Sequence, residues 1–155
     1  MTTTSAGLLL YRFAASTDRP EVLIGHMGGP FWFRKDAHAW SIPKGQYTDE
    51  EPLSAAEREF AEELGTPAPS GPTVPLGSVR QSGGKTVTVF ARPGEFDASS
   101  IVSNEFELEW PRGSGRLQRF PEIDRAGWFS LDEASEKLVK AQVAFLDRLR
   151  EHLGA

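Results

Sequence analysis

Pro43-Lys-Gly-Gln-Tyr-Thr-Asp-Glu-Glu-Pro-Leu-Ser-Ala-Ala-Glu-Arg-Glu-Phe-Ala-Glu-Glu-Leu-Gly-Thr66 reads as a loop containing a glycine, then a helix, then a glycine stop. Pro52 stands at an early helical position, where its missing N–H costs nothing, good helix formers run from Leu53 to Leu64, and Gly65 follows them. Leu53, Ala56, Phe60 and Leu64 recur at helical spacing and mark a face to be pinned on a core. Glu59, Glu62 and Glu63 stand at i, i+3 and i+4 on a neighbouring face, where like charges repel. The plain reading of such a face is a solvated acidic surface with Arg58 as its partner. The flanking residues favour another reading. Clustered carboxylates are what hard divalent cations take as ligands, and Mg²⁺ sits on a few carboxylates plus water and phosphate oxygens. A glycine just upstream allows close backbone approach and offers a carbonyl ligand.

These residues resemble the signature of the Nudix hydrolases, G-x5-E-x7-R-E-U-x-E-E-x-G-U, in which U is bulky and apolar. Arg58-Glu59-Phe60-Ala61-Glu62-Glu63-Leu64-Gly65 matches its second half, and the x7 spacing counted back from Arg58 lands on Glu50. Two positions depart from the pattern: four residues rather than five separate Gly45 from Glu50, and Thr66 stands where an apolar residue is usual. The resemblance implies an α/β (α+β) fold, the Nudix-type α/β/α sandwich with a mixed sheet flanked by helices. It also implies a Mg²⁺- or Mn²⁺-dependent hydrolase that cleaves a pyrophosphate bond in a nucleoside diphosphate linked to another moiety, such as a nucleoside triphosphate or a dinucleoside polyphosphate. It assigns Glu59, Glu62, Glu63 and the Gly45 carbonyl to the metal, and Glu59 also to the base acting on the attacking water. Arg58 and Glu50 are assigned to an ion pair holding loop and helix together. The Pro43-Lys44-Gly45 lead-in is similar to that of Nudix enzymes acting on dinucleoside polyphosphates, which implies that Lys44 lies near phosphate. The alternative is a Nudix domain that binds a nucleotide as a sensor without cleaving it, for which a damaged motif is expected; here the glutamate trio is intact.

At 155 residues and 17.1 kDa the chain suits one domain, 1–155, with a buried core. No apolar run reaches the roughly 18 residues of a membrane span, and residues 1–5 lack the basic start of a signal peptide, so a cytoplasmic protein is expected. The absence of cysteine excludes disulfides, a thiolate nucleophile and Cys-based metal sites. A net charge of −5 argues against a broad nucleic-acid surface. It also means that a phosphate settles beside these carboxylates only after bound cations invert the local field.

Residues 5–13 and 21–25 are short apolar runs around the turn signal Thr17-Asp18-Arg19-Pro20 and predict a hairpin. Residues 26–40 form a loop rich in glycine and aromatics. In it Trp32, beside Arg34 and Lys35, suits stacking on a base or ring with cationic contact to phosphate; the plainer readings are a lid packed on the core or a contact in a homodimer. His26 and His38 are expected at the surface, as lone loop histidines usually are, although either is a candidate proton shuttle. Residues 40–42 predict a short strand delivering Lys44 and Gly45 to the helix.

Residues 76–80 and 85–91 predict two strands joined at Gly83-Gly84. Residues 104–110 alternate polar and apolar, so Glu105, Glu107 and Glu109 share one strand face. That face is either solvated or the source of one more carboxylate for the metal. Residues 111–116 read as a flexible basic loop and 127–130 as a last short strand. Ser130-Leu-Asp-Glu starts a helix with a capping-type pattern, and Val143, Leu146, Leu149 and Leu153 predict a C-terminal amphipathic helix over 140–153.

Overall fold

The computed structural model describes residues 3–81 and 83–154. In chain order the strands are β1 (Thr3–Phe13), β2 (Pro20–Met27), β3 (Trp40–Ser41), β4 (Lys44–Gln46), β5 (Val74–Gln81), β6 (Lys85–Pro93), β7 (Glu105–Glu109), β8 (Leu117–Pro121) and β9 (Ile123–Ser130). The helices are α1 (Pro52–Leu64), α2 (Leu131–Lys137) and α3 (Val143–Leu153).

β1 shows why this sequence makes two cores. Successive side chains of a strand point to opposite faces, and both faces of β1 are apolar. Leu9 and Tyr11 join Val22, Ile24, Val87 and Val89 beneath Leu131, Leu138, Phe145, Leu146 and Leu149 of the α2–α3 side. Ala6, Leu8 and Leu10 join Leu23 beneath Ala55, Ala56, Phe60 and Leu64 of α1. The result is the expected sandwich of helices on both faces of a mixed sheet, β1 being parallel to β6 and antiparallel to β2.

The pairing pattern creates a fork that positions the site. β1 pairs with β2 only at its far end, through Tyr11, Arg12 and Phe13. Nearer its start, Ser5, Ala6 and Gly7 pair with β4, while Gly25 and His26 of β2 pair with β3. The chain from Trp40 to Gln46 thus fills the gap between two diverging strands, and Leu8 N–H donates to the Pro43 carbonyl at 3.2 Å where the fork opens. Gly7 is needed there, because a Cβ would lie 2.9 Å from both Lys44 Cβ and the Pro43 oxygen. Within the expected loop, Lys44–Gln46 therefore form a short strand, locked to β1.

α1 begins at Pro52, and its end is set by Gly65, which adopts φ 84° and donates its N–H to Ala61 O at 2.7 Å. At α2 the capping box is complete: Glu133 N–H donates to Ser130 Oγ at 3.1 Å and Ser130 N–H to Glu133 Oε1 at 3.2 Å. The C-terminal helix starts at Val143 rather than at 140, because Lys140–Gln142 form a tighter 3-10 turn beside β3. β8 was not expected. It pairs with β7 in a separate two-stranded sheet, and β9 extends four residues further back than the expected strand because β2 pairs with it along nearly its whole length. No described helix is long and apolar enough to cross a membrane.

Candidate active site

The face of α1 away from the core turns its carboxylates toward the fork. Lys44 N–H donates to Glu63 Oε1 at 3.0 Å, which ties β4 to the helix one turn beyond Glu59. At Gly45 the two elements come so close that an added Cβ would land on the Glu59 carboxylate, so no other residue fits without displacement. Residues 48–50 form a bend, and both ends of the Gly45–Glu50 segment lie against α1, Gly45 at Glu59 and Glu50 at Arg58.

Arg58 holds the cluster's geometry. Its Nη2 donates to Glu50 Oε1 at 2.6 Å and its Nε to Glu50 Oε2 at 2.9 Å, while Nη1 donates to Glu59 Oε1 at 2.9 Å and Glu62 Oε1 at 3.1 Å. One guanidinium therefore bridges the loop and two glutamates of the trio, and its pKa is driven up, most by the Glu50 hydrogen bonds. The Glu50 carboxyl is correspondingly lowered by Arg58.

Burial acts the other way on the remaining carboxylates. Glu59 is raised, chiefly by desolvation against the opposing pull of Arg58. Glu63 is pushed up to about 8 by desolvation, with the neighbouring Glu59 and Glu122 charges adding to it and the Lys44 N–H and ammonium resisting. Glu122, just before β9, is also raised by burial. It reaches the cleft from outside the sequence motif and carried no sequence signal. The glutamates considered for that role, Glu105, Glu107 and Glu109, are all exposed, and the first two lie 3.9 Å and 3.6 Å from Arg119 on β8.

These groups line an open cleft of about 820 Å³. Lys44, Gly45, Glu59, Glu62, Glu63 and Glu122 form one side. Trp32 lines it too, half-buried and packed against the core on the α2–α3 face. Arg34 and Lys35 are exposed and do not line the cleft; the Lys35 ammonium lies 5.5 Å from the Trp32 ring centroid. His26, expected at the surface, is fully buried on β2. Its Nε2 lies 2.6 Å from the Lys35 carbonyl oxygen and its Nδ1 2.8 Å from Asp124 Oδ1. The ring is thus held from both sides, by the Lys35 carbonyl and the Asp124 carboxylate. The histidine clamps the aromatic loop onto β9. His38 is half-buried, its Nδ1 2.8 Å from the Leu138 carbonyl.

Among the described residues no three carboxylate or imidazole groups converge into a ready-made cation cage. The donor set nevertheless fits a hard divalent ion. The chelating groups are oxygens only, two of the glutamates resist ionisation without a cation, and the glycine cradle at Gly45 keeps side-chain carbon away from Glu59.

A family model described as NUDIX domain matches residues 2–149. No curated protein matches the chain. Among solved structures, a C. elegans Ap4A hydrolase binary complex is 20% identical, covers 99% of this chain and 98% of its own, and superposes with a TM-score of 0.65. The NUDIX domain of Shewanella oneidensis NrtR complexed with ADP ribose is 14% identical over 99% of this chain and 89% of its own, also with a TM-score of 0.65. RenU, a Nudix hydrolase from M. smegmatis, is 24% identical over 97% and 85%, with a TM-score of 0.61. At these identities the solved structures speak to the fold.

Proposed function

The chain belongs to the NUDIX domain family, and on that premise we propose that it is a pyrophosphohydrolase, one domain dependent on Mg²⁺ or Mn²⁺ that cleaves the diphosphate of a nucleoside diphosphate linked to another moiety. The observation that carries this reading is the meeting of the Gly45 backbone with the Glu59 carboxylate, beside Glu63 held by Lys44 N–H, at the mouth of one cleft.

In this reading Glu59, Glu62, Glu63 and the Gly45 carbonyl would hold the cation. The chemistry a divalent ion supplies at such a site is neutralisation of phosphate oxygens and activation of the attacking water. Glu63 would have to be deprotonated to serve as a ligand, and Glu59, whose Oε1 accepts from Arg58, would be the base for the attacking water. Arg58 fixes Glu59 and Glu62 relative to Glu50, so its role is to position rather than to react. Lys44 meets a phosphate oxygen, and Trp32 packs against the base or ring. The exposed Phe31 and Phe33 offer a homodimer contact, to be tested by size-exclusion chromatography with light scattering.

The test is release of phosphate or nucleotide from a panel of nucleoside triphosphates, dinucleoside polyphosphates and nucleotide sugars, with Mg²⁺, Mn²⁺ or EDTA. Metal-dependent cleavage of at least one class is expected. Binding of a nucleotide with no cleavage under any metal would replace the enzyme by the sensor reading.

A further inference from the structure

The segment that leads into Gly45 is held by a side chain standing where a rung of the sheet would be. After α2 the chain runs parallel to β3, with Leu138 bridging Trp40 and Val139 N–H donating to the Trp40 carbonyl at 2.9 Å. At Lys140 it leaves that line for the 3-10 turn. The next rung comes from the Gln142 side chain, whose Oε1 accepts from Ile42 N–H at 2.9 Å and whose Nε2 donates to Ser41 Oγ at 3.1 Å. A backbone N–H can only donate, which assigns the amide oxygen to Ile42. Ser41 Oγ in turn donates to the Ile42 carbonyl at 2.8 Å, so both backbone polar groups of Ile42 are met by side chains.

Gln142 and Ile42 are both fully buried. An amide taken wholly out of water costs free energy that its hydrogen bonds must offset, and a methionine of similar length would fill the same space. Packing alone therefore does not call for an amide here; the path of the chain does. Only Pro43 separates Ile42 from Lys44, and its ring fixes φ, so a shift at Ile42 passes on to β4. Immediately downstream, Leu8 N–H holds the Pro43 carbonyl at 3.2 Å, Lys44 N–H donates to Glu63 Oε1 at 3.0 Å, and the Gly45 backbone lies against the Glu59 carboxylate. From a few residues away, the Gln142 amide sets where the Gly45 backbone meets two of the glutamates.

We propose that Gln142 is a positioning residue: its amide fixes the path of Ser41-Ile42-Pro43 and so aligns the Gly45 carbonyl with Glu59 and Glu63 for a divalent cation. Its consequence for cleavage rests on the hydrolase reading above, whereas its consequence for cation binding is measured without any substrate. Groups that orient a metal ligand without touching the metal are commonly worth about 10–100-fold in affinity. The amide is committed to the chain and takes no part in bond cleavage.

The experiment measures Mn²⁺ affinity by electron paramagnetic resonance for wild type, Gln142→Met and Leu149→Ala, well below the melting temperature of each. Gln142→Met keeps length and volume but leaves Ile42 N–H without its acceptor, and its Kd for Mn²⁺ should rise about tenfold or more. Leu149→Ala lowers stability through the same core, in which Leu149 is fully buried, and should bind Mn²⁺ like wild type, which separates positioning from general loosening. With a substrate that wild type cleaves, at Mn²⁺ near the wild-type Kd, kcat should fall with metal occupancy in Gln142→Met while KM stays within about twofold. Wild-type Mn²⁺ affinity in Gln142→Met would overturn the proposal, as would a raised KM with unchanged Mn²⁺ affinity, or an equal loss of affinity in Leu149→Ala. Should Gln142→Met not fold, Ser41→Ala, which cuts only the Ser41 end of the amide's hold, is read in its place: weaker Mn²⁺ binding supports the role and wild-type binding overturns it. A wild type that binds Mn²⁺ but cleaves nothing defeats the hydrolase reading, and a loss of that binding in Gln142→Met still supports the positioning role. A wild type that binds no Mn²⁺ overturns both.

Discussion

Glu63 concentrates the opposing demands placed on this molecule. Its carboxyl is driven to about 8 by burial, well above the usual carboxylate value, so the metal-free folded chain binds a proton there that the unfolded chain releases at lower pH. The stability associated with that proton is fully present below the unfolded pKa and is lost as pH rises toward about 8. Metal-free protein should therefore melt at progressively lower temperature between about pH 5 and 8, and saturating Mg²⁺ should flatten or reverse the slope, since metal and proton compete for one group. Melts across that range with Mg²⁺ or EDTA check both. Glu63→Gln removes the titration and relieves crowding, so it should match or exceed wild-type stability without metal while losing nearly all activity; the same is expected of Glu62→Gln. Gly45→Ala should fail differently. The added carbon meets the Glu59 carboxylate, so a stability loss of about 1–3 kcal/mol is expected along with the loss of activity, measured by denaturant unfolding and steady-state rates. The trio was legible because helical spacing brings its members to one face, whereas the Arg58–Glu50 pairing was implied by the resemblance to the Nudix signature. Glu122 was not, because a carboxylate that arrives through pairing of distant strands leaves no local pattern.

Among the elements, those with strong internal signals were readable. α1 carries a proline start and a glycine stop, α2 a capping box, and the β1–β2 hairpin two apolar runs around a turn. β4 was missed because three residues reading Lys-Gly-Gln have no strand character of their own; the fork between β1 and β2 makes them a strand. β8 was missed for the same kind of reason. Leu117-Gln-Arg-Phe-Pro121 alternates poorly, and its pairing with β7, not burial, defines it. His26 was misjudged because the loop begins two residues later than its composition suggested, after β2 has carried the imidazole inside. His26→Ala removes the ring that bridges the Lys35 carbonyl and Asp124. A cost on the order of 1–3 kcal/mol and a lower Tm are expected, together with a raised KM because the loop bearing Trp32 is released. Trp32→Ala should likewise raise KM, but with a measurable loss of Tm, since its ring also packs on the core. A KM unchanged for every nucleotide substrate would remove the ring from the binding site.

The whole molecule is two cores set back to back on one sheet, with the cleft where that sheet splits. Helices over a mixed sheet could be read from the apolar run of β1 and the helical stripes of α1 and α3, and the sandwich was implied by the resemblance. The cleft could not, because it joins β4, the turn before α3, the start of β6 and the residue before β9, which only long-range pairing brings together. An acidic protein that handles a polyanion needs cations to do so, and the central claim is that α1 and Gly45 hold one where cleavage occurs. The most direct test is the rate of substrate hydrolysis measured against Mn²⁺ concentration for wild type and Glu63→Gln, with Mn²⁺ affinity measured in parallel by electron paramagnetic resonance. The account predicts saturable Mn²⁺ binding and a rate that tracks occupancy in wild type, with both lost in the variant while the fold persists. Hydrolysis that survives EDTA, or a Glu63→Gln protein that binds Mn²⁺ and turns over like wild type, would contradict it.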